Sequence, residues 1–311
     1  MQTLEIQTLP RSNAGYPKLL REIHDPPPIL YVKGTLLPED EAAVAIVGTR
    51  AATPYGLSVA ERLAEELARC GITVVSGLAE GIDAAAHEGA LKAGGRTIAV
   101  VGHGLSRIYP SHHEELAERI ARSGCIISEF PMEEKPNPWN FPKRNRIISG
   151  LSLGVVVVEA PVKSGALITA REAMEQGREV FAVPGPISSQ KSEGTHALLK
   201  DGAKLVSKVE DILEELAPQL KGIVRASILR PGSGSARTVA GHAELVEAGR
   251  LDLTDAESQV FESVPVGASA GLESITRATA LPAAEVMSVL TGLELKGLVR
   301  QTSGMGFSRA N

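Results

Sequence analysis

Between residues 44 and 183 the chain repeats one unit. A short, continuously apolar run is followed by a turn carrying glycine or proline, then by a stretch of helical length. The runs fall at 44–47, 72–75, 97–101, 125–127, 154–159 and 179–183. A strand apolar on both faces cannot leave one face in water. A strand followed by a helix cannot pair with the next strand as a hairpin. Both conditions are met by a parallel sheet with helices on its two faces, so the expected class is α/β. The helices are expected near 54–69, 82–93, 113–122, 141–153, 165–176, 195–200 and 209–216. Pro54 suits a first turn, and Gly94-Gly95 stops the second helix. Aromatic residues make up 3% of a chain that is 43% hydrophobic, so the core is expected to be aliphatic.

The unusual residues cluster just beyond the strand ends: Gly48-Thr49-Arg50, Ser76-Gly77, Gly102-His103-Gly104, Ser164-Gly165 and Pro184-Gly185. In an open α/β sheet these ends share one edge, and ligands bind there. Glycine lets a ligand approach the backbone, and the helix N-termini behind the turns favour anions. A phosphate-bearing ligand is therefore expected. Gly102-His103-Gly104 does not complete a Gly-x-Gly-x-x-Gly fingerprint, because residue 107 is Arg, and no turn ends in Gly-Lys-Ser/Thr. Arg50 reads as a cation aimed at a phosphate; the alternative is an ordinary surface arginine.

One stretch is chemically distinct. From Lys135 to Gly150 it carries Lys135, Lys143, Arg144 and Arg146 and no acidic residue, together with the sole tryptophan, Trp139, and Phe141. Aromatic faces beside cations suit a single-stranded nucleic acid, in which bases stack and phosphates pair. The competing reading is a helix with a solvated basic face and two aromatics in the core. Net charge is −5, so a nucleic-acid site has to be a local patch. Cys70 and Cys125 are far apart and read as reduced core thiols of a cytoplasmic protein, not a zinc site. The start has no signal-peptide pattern, and no apolar run approaches about 18 residues.

Residues 1–42 read as a lead-in packed on the core, with a short edge strand at 29–32 after the prolines at 26–28. Residues 43–217 form the main domain and 218–250 a linker. Residues 251–311 read as three helices (from 254 to 263, 272–279 and 282–295) and a hairpin, which make a winged helix. That unit has seven acidic and four basic residues, net −3, and its third helix has no Lys or Arg. A protein-contact or regulatory role is expected for it.

Several motifs, in order, carry a resemblance over nearly the whole length. They are Tyr16-Pro17-x-Leu19-Leu20 with Asp25-Pro26-Pro27; Gly48-Thr49-Arg50; Ser76-Gly77-x-Ala79-x-Gly81-Ile82-Asp83-x-x-Ala86-His87; and Gly102-x-Gly104 leading to Tyr109-Pro110. Phe141-Pro142-x-Arg144-Asn145-Arg146-Ile147-Ile148, Ser164 through Ala170 and Val183-Pro184-Gly185 complete the set. The chain resembles the DNA-processing protein A (DprA/Smf) family. The resemblance implies an extended Rossmann-like domain with a C-terminal winged helix. It further implies a homodimer that binds single-stranded DNA and loads the RecA recombinase during natural transformation, displacing or bypassing single-strand-binding protein. It implies no catalysis and no cofactor. By the same resemblance Gly48, Thr49 and Arg50 meet the DNA backbone. Phe141, Lys143, Arg144, Asn145 and Arg146 line a basic pocket, and Ser164, Gly165 and Thr169 offer hydroxyls and a helix N-terminus to phosphate. The chain departs from the family in having Thr49 where Ser is common and His113 where the Tyr-Pro stretch leads to Asn. About fifteen residues precede Tyr16, where many members carry a helical domain.

His87, four residues after Asp83, reads as a helix-fixing hydrogen bond more readily than as an acid–base pair. His103 is expected to be a solvated loop residue. Glu159 is expected to orient a basic side chain, and Asp83 the second turn. The alternative function is a nucleotide N-glycosidase of the lysine-decarboxylase-like Rossmann group. Its Pro-Gly-Gly-x-Gly-Thr turn is not matched by Pro184-Gly185-Pro186.

Overall fold

The computed structural model describes residues 6–228 and, beyond them, 255–265, 270–279, 281, 286, 289, 290, 293, 299–302 and 306–309. The chain divides into two compact units, residues 1–239 and 240–311.

The first unit opens with β1 (Ile6–Pro10), α1 (Lys18–Arg21) and β2 (Ile29–Gly34). The repeating part follows: β3 (Ala43–Val47), α2 (Pro54–Arg69), β4 (Thr73–Ser76), α3 (Ile82–Lys92), β5 (Thr97–Val100), α4 (Glu114–Ser123) and β6 (Cys125–Ser128). Then come α5 (Asn140–Gly150), β7 (Gly154–Val157), α6 (Gly165–Glu175), β8 (Glu179–Ala182), α7 (Glu193–Lys200), β9 (Lys204–Leu205) and α8 (Val209–Ile228). The nine strands form one sheet in the order β1-β2-β6-β5-β4-β3-β7-β8-β9. From β6 to β9 every pairing is parallel, with Val44 opposite Val74 on one side and Gly154 on the other.

Side chains alternate across β3. Ala43, Ala45 and Val47 join one core with Ile147 and Ile148 of α5 and Ala166, Ala170 and Ala173 of α6. Val44 and Ile46 join the opposite core with Leu63 and Leu67 of α2 and Ile212 and Leu216 of α8. Phe181 and Tyr16 are the aromatics among the largest fully buried side chains; the other ten are Leu or Ile. Each such aliphatic contributes about 1.5–3 kcal/mol of transfer free energy.

Three features differ from expectation. Helix α8 does not stop near 216 but runs on to Ile228, through residues expected to begin the linker. The lead-in is part of the sheet: β2 pairs antiparallel with β6, and β1 antiparallel with β2. The strand at 29–34 is therefore internal, and β1 is the edge. The thiols also differ from each other, since Cys125 is buried in β6 whereas Cys70 is half-buried at the end of α2. Burial raises both thiol pKa values.

In the second unit, the helices Asp255–Ser263 and Leu272–Thr279 lie where expected. The third expected helix lies mostly outside the described residues; of it, Val286, Leu290 and Leu293 are helical and buried with Val260, Ile275 and Phe307. Strands Val299–Thr302 and Gly306–Arg309 form the antiparallel hairpin, and Ala270–Gly271 adds a third strand. Thr254 and the linker at 230–235 lie outside the described residues. Among the described residues no helix is long and apolar enough to cross a membrane.

Candidate nucleic-acid interface

The strand order creates a place for a ligand. From β3 the chain winds outward through β4 and β5 to β6, then returns to lay β7 against the other side of β3. Successive connections leave in opposite directions at that point, which opens a crevice beyond the ends of β3 and β7. A cleft of about 690 Å³ lies there. Its walls are the β3 turn (Gly48, Thr49, Arg50), the β7 turn with the start of α6 (Lys163, Ser164, Gly165, Thr169), and one face of α5 (Phe141, Arg144, Asn145) with Pro136, Pro138 and Tyr109. Nine of the eleven expected DNA-contact residues line it; Lys143 and Arg146 do not.

The two nearest turns are tied together behind the cleft. Thr49 N–H donates to the Glu159 carbonyl at 2.7 Å. The Glu159 carboxylate accepts from Thr53 N–H at 2.9 Å and from Thr53 Oγ1 at 2.5 Å. Thr53 Oγ1 in turn accepts from Gly56 N–H at 3.1 Å and so caps α2. Glu159 therefore orients a helix cap and not the basic side chain expected of it. Thr49 Oγ1 accepts from Ala51 N–H at 3.3 Å, which fixes the turn that presents Arg50. Arg50 is exposed, its guanidinium 5.2 Å from the centroid of the Phe141 ring. Tyr109 lies 6.1 Å beyond Phe141. A cation over an aromatic face, open to solvent, can meet a phosphate and a base together.

The cations of α5 fall into two classes. Lys143 is exposed. Arg146 grips Glu129 with two hydrogen bonds of 2.7 Å and donates to the Asp25 carbonyl at 3.0 Å. Arg144 is 5% exposed and donates to the carbonyls of Gly77, at 2.8 Å, and Val100. Burial lowers its pKa to about 10 despite the neighbouring Asp83 carboxylate. Burial likewise raises the pKa of Asp83, against the opposing pull of Arg144 and the Ala79 N–H. Arg144 thus forms the floor of the cleft from inside, with its charge engaged by the fold. Asn145 Nδ2 donates to the Gly165 carbonyl at 3.2 Å and holds α5 to the start of α6. The Thr169 hydroxyl is buried and turned back to the same carbonyl at 3.5 Å.

The glycine turns also separate. A Cβ on Gly48 would stand 2.5 Å from Ile82, one on Gly77 2.5 Å from Asp83 Oδ2, and one on Gly102 2.9 Å from Phe141. These glycines admit other parts of the protein, not a ligand. Gly165 alone of the strand-end glycines has nothing within 4 Å. It opens α6, where Ser164 Oγ accepts from Ala166 N–H at 3.3 Å. The first N–H groups of a helix lack intrahelical acceptors, so this end is ready for an anion.

Residues 7–217 match the family described as DNA recombination-mediator protein A, and residues 248–305 match the DprA winged helix domain. The chain belongs to the DNA recombination-mediator protein A family. It is 49% identical to the DNA processing protein DprA of Bacillus subtilis over 213 residues, 68% of this chain and 71% of that one. It is 40% identical to the Protein Smf of Synechocystis over an alignment of 321 residues that covers 97% of this chain and 80% of that one. Two solved relatives share its fold. DprA from Streptococcus pneumoniae has a TM-score of 0.65 at 43% identity, covering 68% of this chain and 75% of that one. DprA from Helicobacter pylori, described in terms of its single-stranded DNA binding mode, has a TM-score of 0.62 at 34% identity, covering 70% and 97%.

Two histidines depart from expectation, His87 in its partner and His103 in its burial. His87 Nδ1 is 2.7 Å from Thr97 Oγ1, whose own proton goes to the Val74 carbonyl at 2.8 Å, so Nδ1 carries the proton. Its partner is Thr97 and not Asp83, and burial lowers its pKa to about 3. His103 is 1% exposed, not solvated, and its Nδ1 donates to the Gly104 carbonyl at 2.9 Å. His113, at the expected Asn position, places Nδ1 3.1 Å from the Leu78 carbonyl. Lys163, Tyr109, Pro136 and Pro138 are cleft residues that sequence reasoning missed. Lys163 follows directly on Val158-Glu159-Ala160-Pro161-Val162 at the same edge, a signal that was available.

Proposed function

We propose that this DNA-processing protein binds single-stranded DNA along the cleft beyond β3 and β7 and delivers it to a RecA-type recombinase. The observation that carries the reading is the pairing of the exposed Arg50–Phe141 stack with the open N-terminus of α6 across one cleft. The first suits a phosphate beside a base; the second suits the next phosphate. The family description as a recombination mediator, and the single-stranded DNA binding named for the Helicobacter pylori relative, support the same reading.

Arg50, Lys143, Ser164 and Gly165 are the proposed phosphate contacts, with Gly48 and Thr49 shaping the turn and Phe141 beneath the base. Arg144, Asn145, Arg146 and Thr169 are proposed to act through position, holding the walls. The protein works as a homodimer, which sets two clefts on one strand and raises apparent affinity through effective concentration. It acts in natural transformation and recombination, in competition with single-strand-binding protein. The winged helix is proposed to contact protein. No catalysis is proposed. Asp83 is the carboxylate among the cleft-lining residues, and it faces Arg144 in the interior, which gives an N-glycosidase reading little to work with.

The test is fluorescence anisotropy of labelled oligo-dT and of a matching duplex at two salt concentrations. Salt-sensitive binding that prefers the single strand, and that falls at least tenfold with a shallower salt slope in Arg50→Ala, is expected. Duplex preference, or binding indifferent to Arg50→Ala, refutes the assignment. Recombinase delivery is tested by filament assembly on strand precoated with single-strand-binding protein, with and without this protein.

A further inference from the structure

The cleft accounts for one face of α5. Pro138, Phe141, Pro142, Asn145 and Ile148 line it, spaced as a single helical face. The adjoining face begins with Trp139, which is 79% exposed and does not line the cleft. Lys143, four residues on, is exposed too and shares that face. The main chain is held at this point: Pro138 precedes Trp139, Asn140 behind it is buried, and the Trp139 backbone N–H donates to Asn137 Oδ1 at 3.1 Å. A large aromatic so exposed gains little from folding, and its neighbours fix its backbone at the lip of the cleft.

We infer that Trp139 is a base-stacking residue outside the cleft, which takes a nucleotide of the strand as it leaves across α5, with Lys143 on the adjacent phosphate. The inference rests on the proposed single-strand binding and extends it to a residue that the cleft does not contain. The pairing is that of a sequence-tolerant stacking platform, an aromatic face beside a cation. It predicts a footprint longer than the cleft. The competing occupant of an exposed tryptophan is another protein surface, such as a second copy of this chain.

Because Trp139 is the chain's only tryptophan, its emission reports this position alone. The full chain is titrated with oligo-dT of about 16 nucleotides while binding is followed separately by the anisotropy of a labelled strand. Quenching of the tryptophan emission that saturates together with the anisotropy is expected. Trp139→Ala should weaken binding about tenfold, and Trp139→Phe should stay within about twofold of wild type. Binding by anisotropy with unchanged emission, or with equal affinity in Trp139→Ala, overturns the inference and leaves the cleft reading standing. Absence of binding by anisotropy overturns the cleft reading itself. An emission change that follows protein concentration and not DNA identifies a protein contact and also overturns the inference.

Discussion

The turns after β4 and β7 look alike in sequence, Ser76-Gly77 and Ser164-Gly165, yet they do opposite things. Gly77 lies under Asp83 and Arg144, and its missing Cβ makes room for a buried pair of opposite charges. Gly165 has nothing above it and opens α6 into the cleft. A Ser-Gly turn at the ligand edge therefore specifies a close approach without specifying what approaches. Strand order decides that. β3 and β7 flank the crevice, whereas β4 lies one strand away, beneath α5.

The contrast can be broken by substitution. Arg144→Met should have the largest effect, because it leaves Asp83 buried without its cation and two carbonyls without a donor. A loss of about 3–5 kcal/mol is expected from urea unfolding. Gly77→Ala drives a methyl into the same pair and should cost about 1–3 kcal/mol in that assay. His87 lies in the same interior and supplies a pH signature. Its folded pKa of about 3 lies below the usual 6.5, with burial the main cause and the fields of His113 and Arg144 adding to it. The unfolded chain takes up this proton below pH 6.5 and the folded one refuses it until about pH 3. Stability from this group is thus whole above pH 6.5 and lost as pH falls. About 2 kcal/mol should disappear between pH 7 and pH 5 in the wild type and not in His87→Gln. Gly165→Ala should leave stability within about 0.5 kcal/mol, while oligo-dT affinity falls severalfold because a methyl crowds the open helix end. A Gly165→Ala protein that unfolds as readily as Gly77→Ala would erase the distinction between the two turns.

Much of the fold was legible, and for one reason. The apolar runs at 44–47, 72–75 and 154–157 are buried on both faces, and their composition says so. β1 was not legible. Ile6-Gln7-Thr8-Leu9-Pro10 pairs on one side only and buries little, so its residues carry no strand pattern. Within the site, the sequence located the edge and most of the cleft residues. It could not sort the cations of α5, because Lys143, Arg144 and Arg146 are equivalent in charge and differ only in what the helix turns them toward. Glu129 and the Gly77 carbonyl, distant in sequence, make that choice. Spacing along the helix gave no hint of it. Glu159 was misjudged for a related reason: its partner Thr53 sits 106 positions earlier.

The antiparallel strand β2 lies against β6 and gives that strand its second neighbour. A chain that began at residue 43 would retain every parallel strand. It would also present Cys125–Ser128, four residues wholly buried here, as a bare border with its amide and carbonyl groups unmatched. Such borders recruit strands from other molecules and seed aggregates. The opening residues thus cover this border, and trimming them should lower solubility before it touches the cleft.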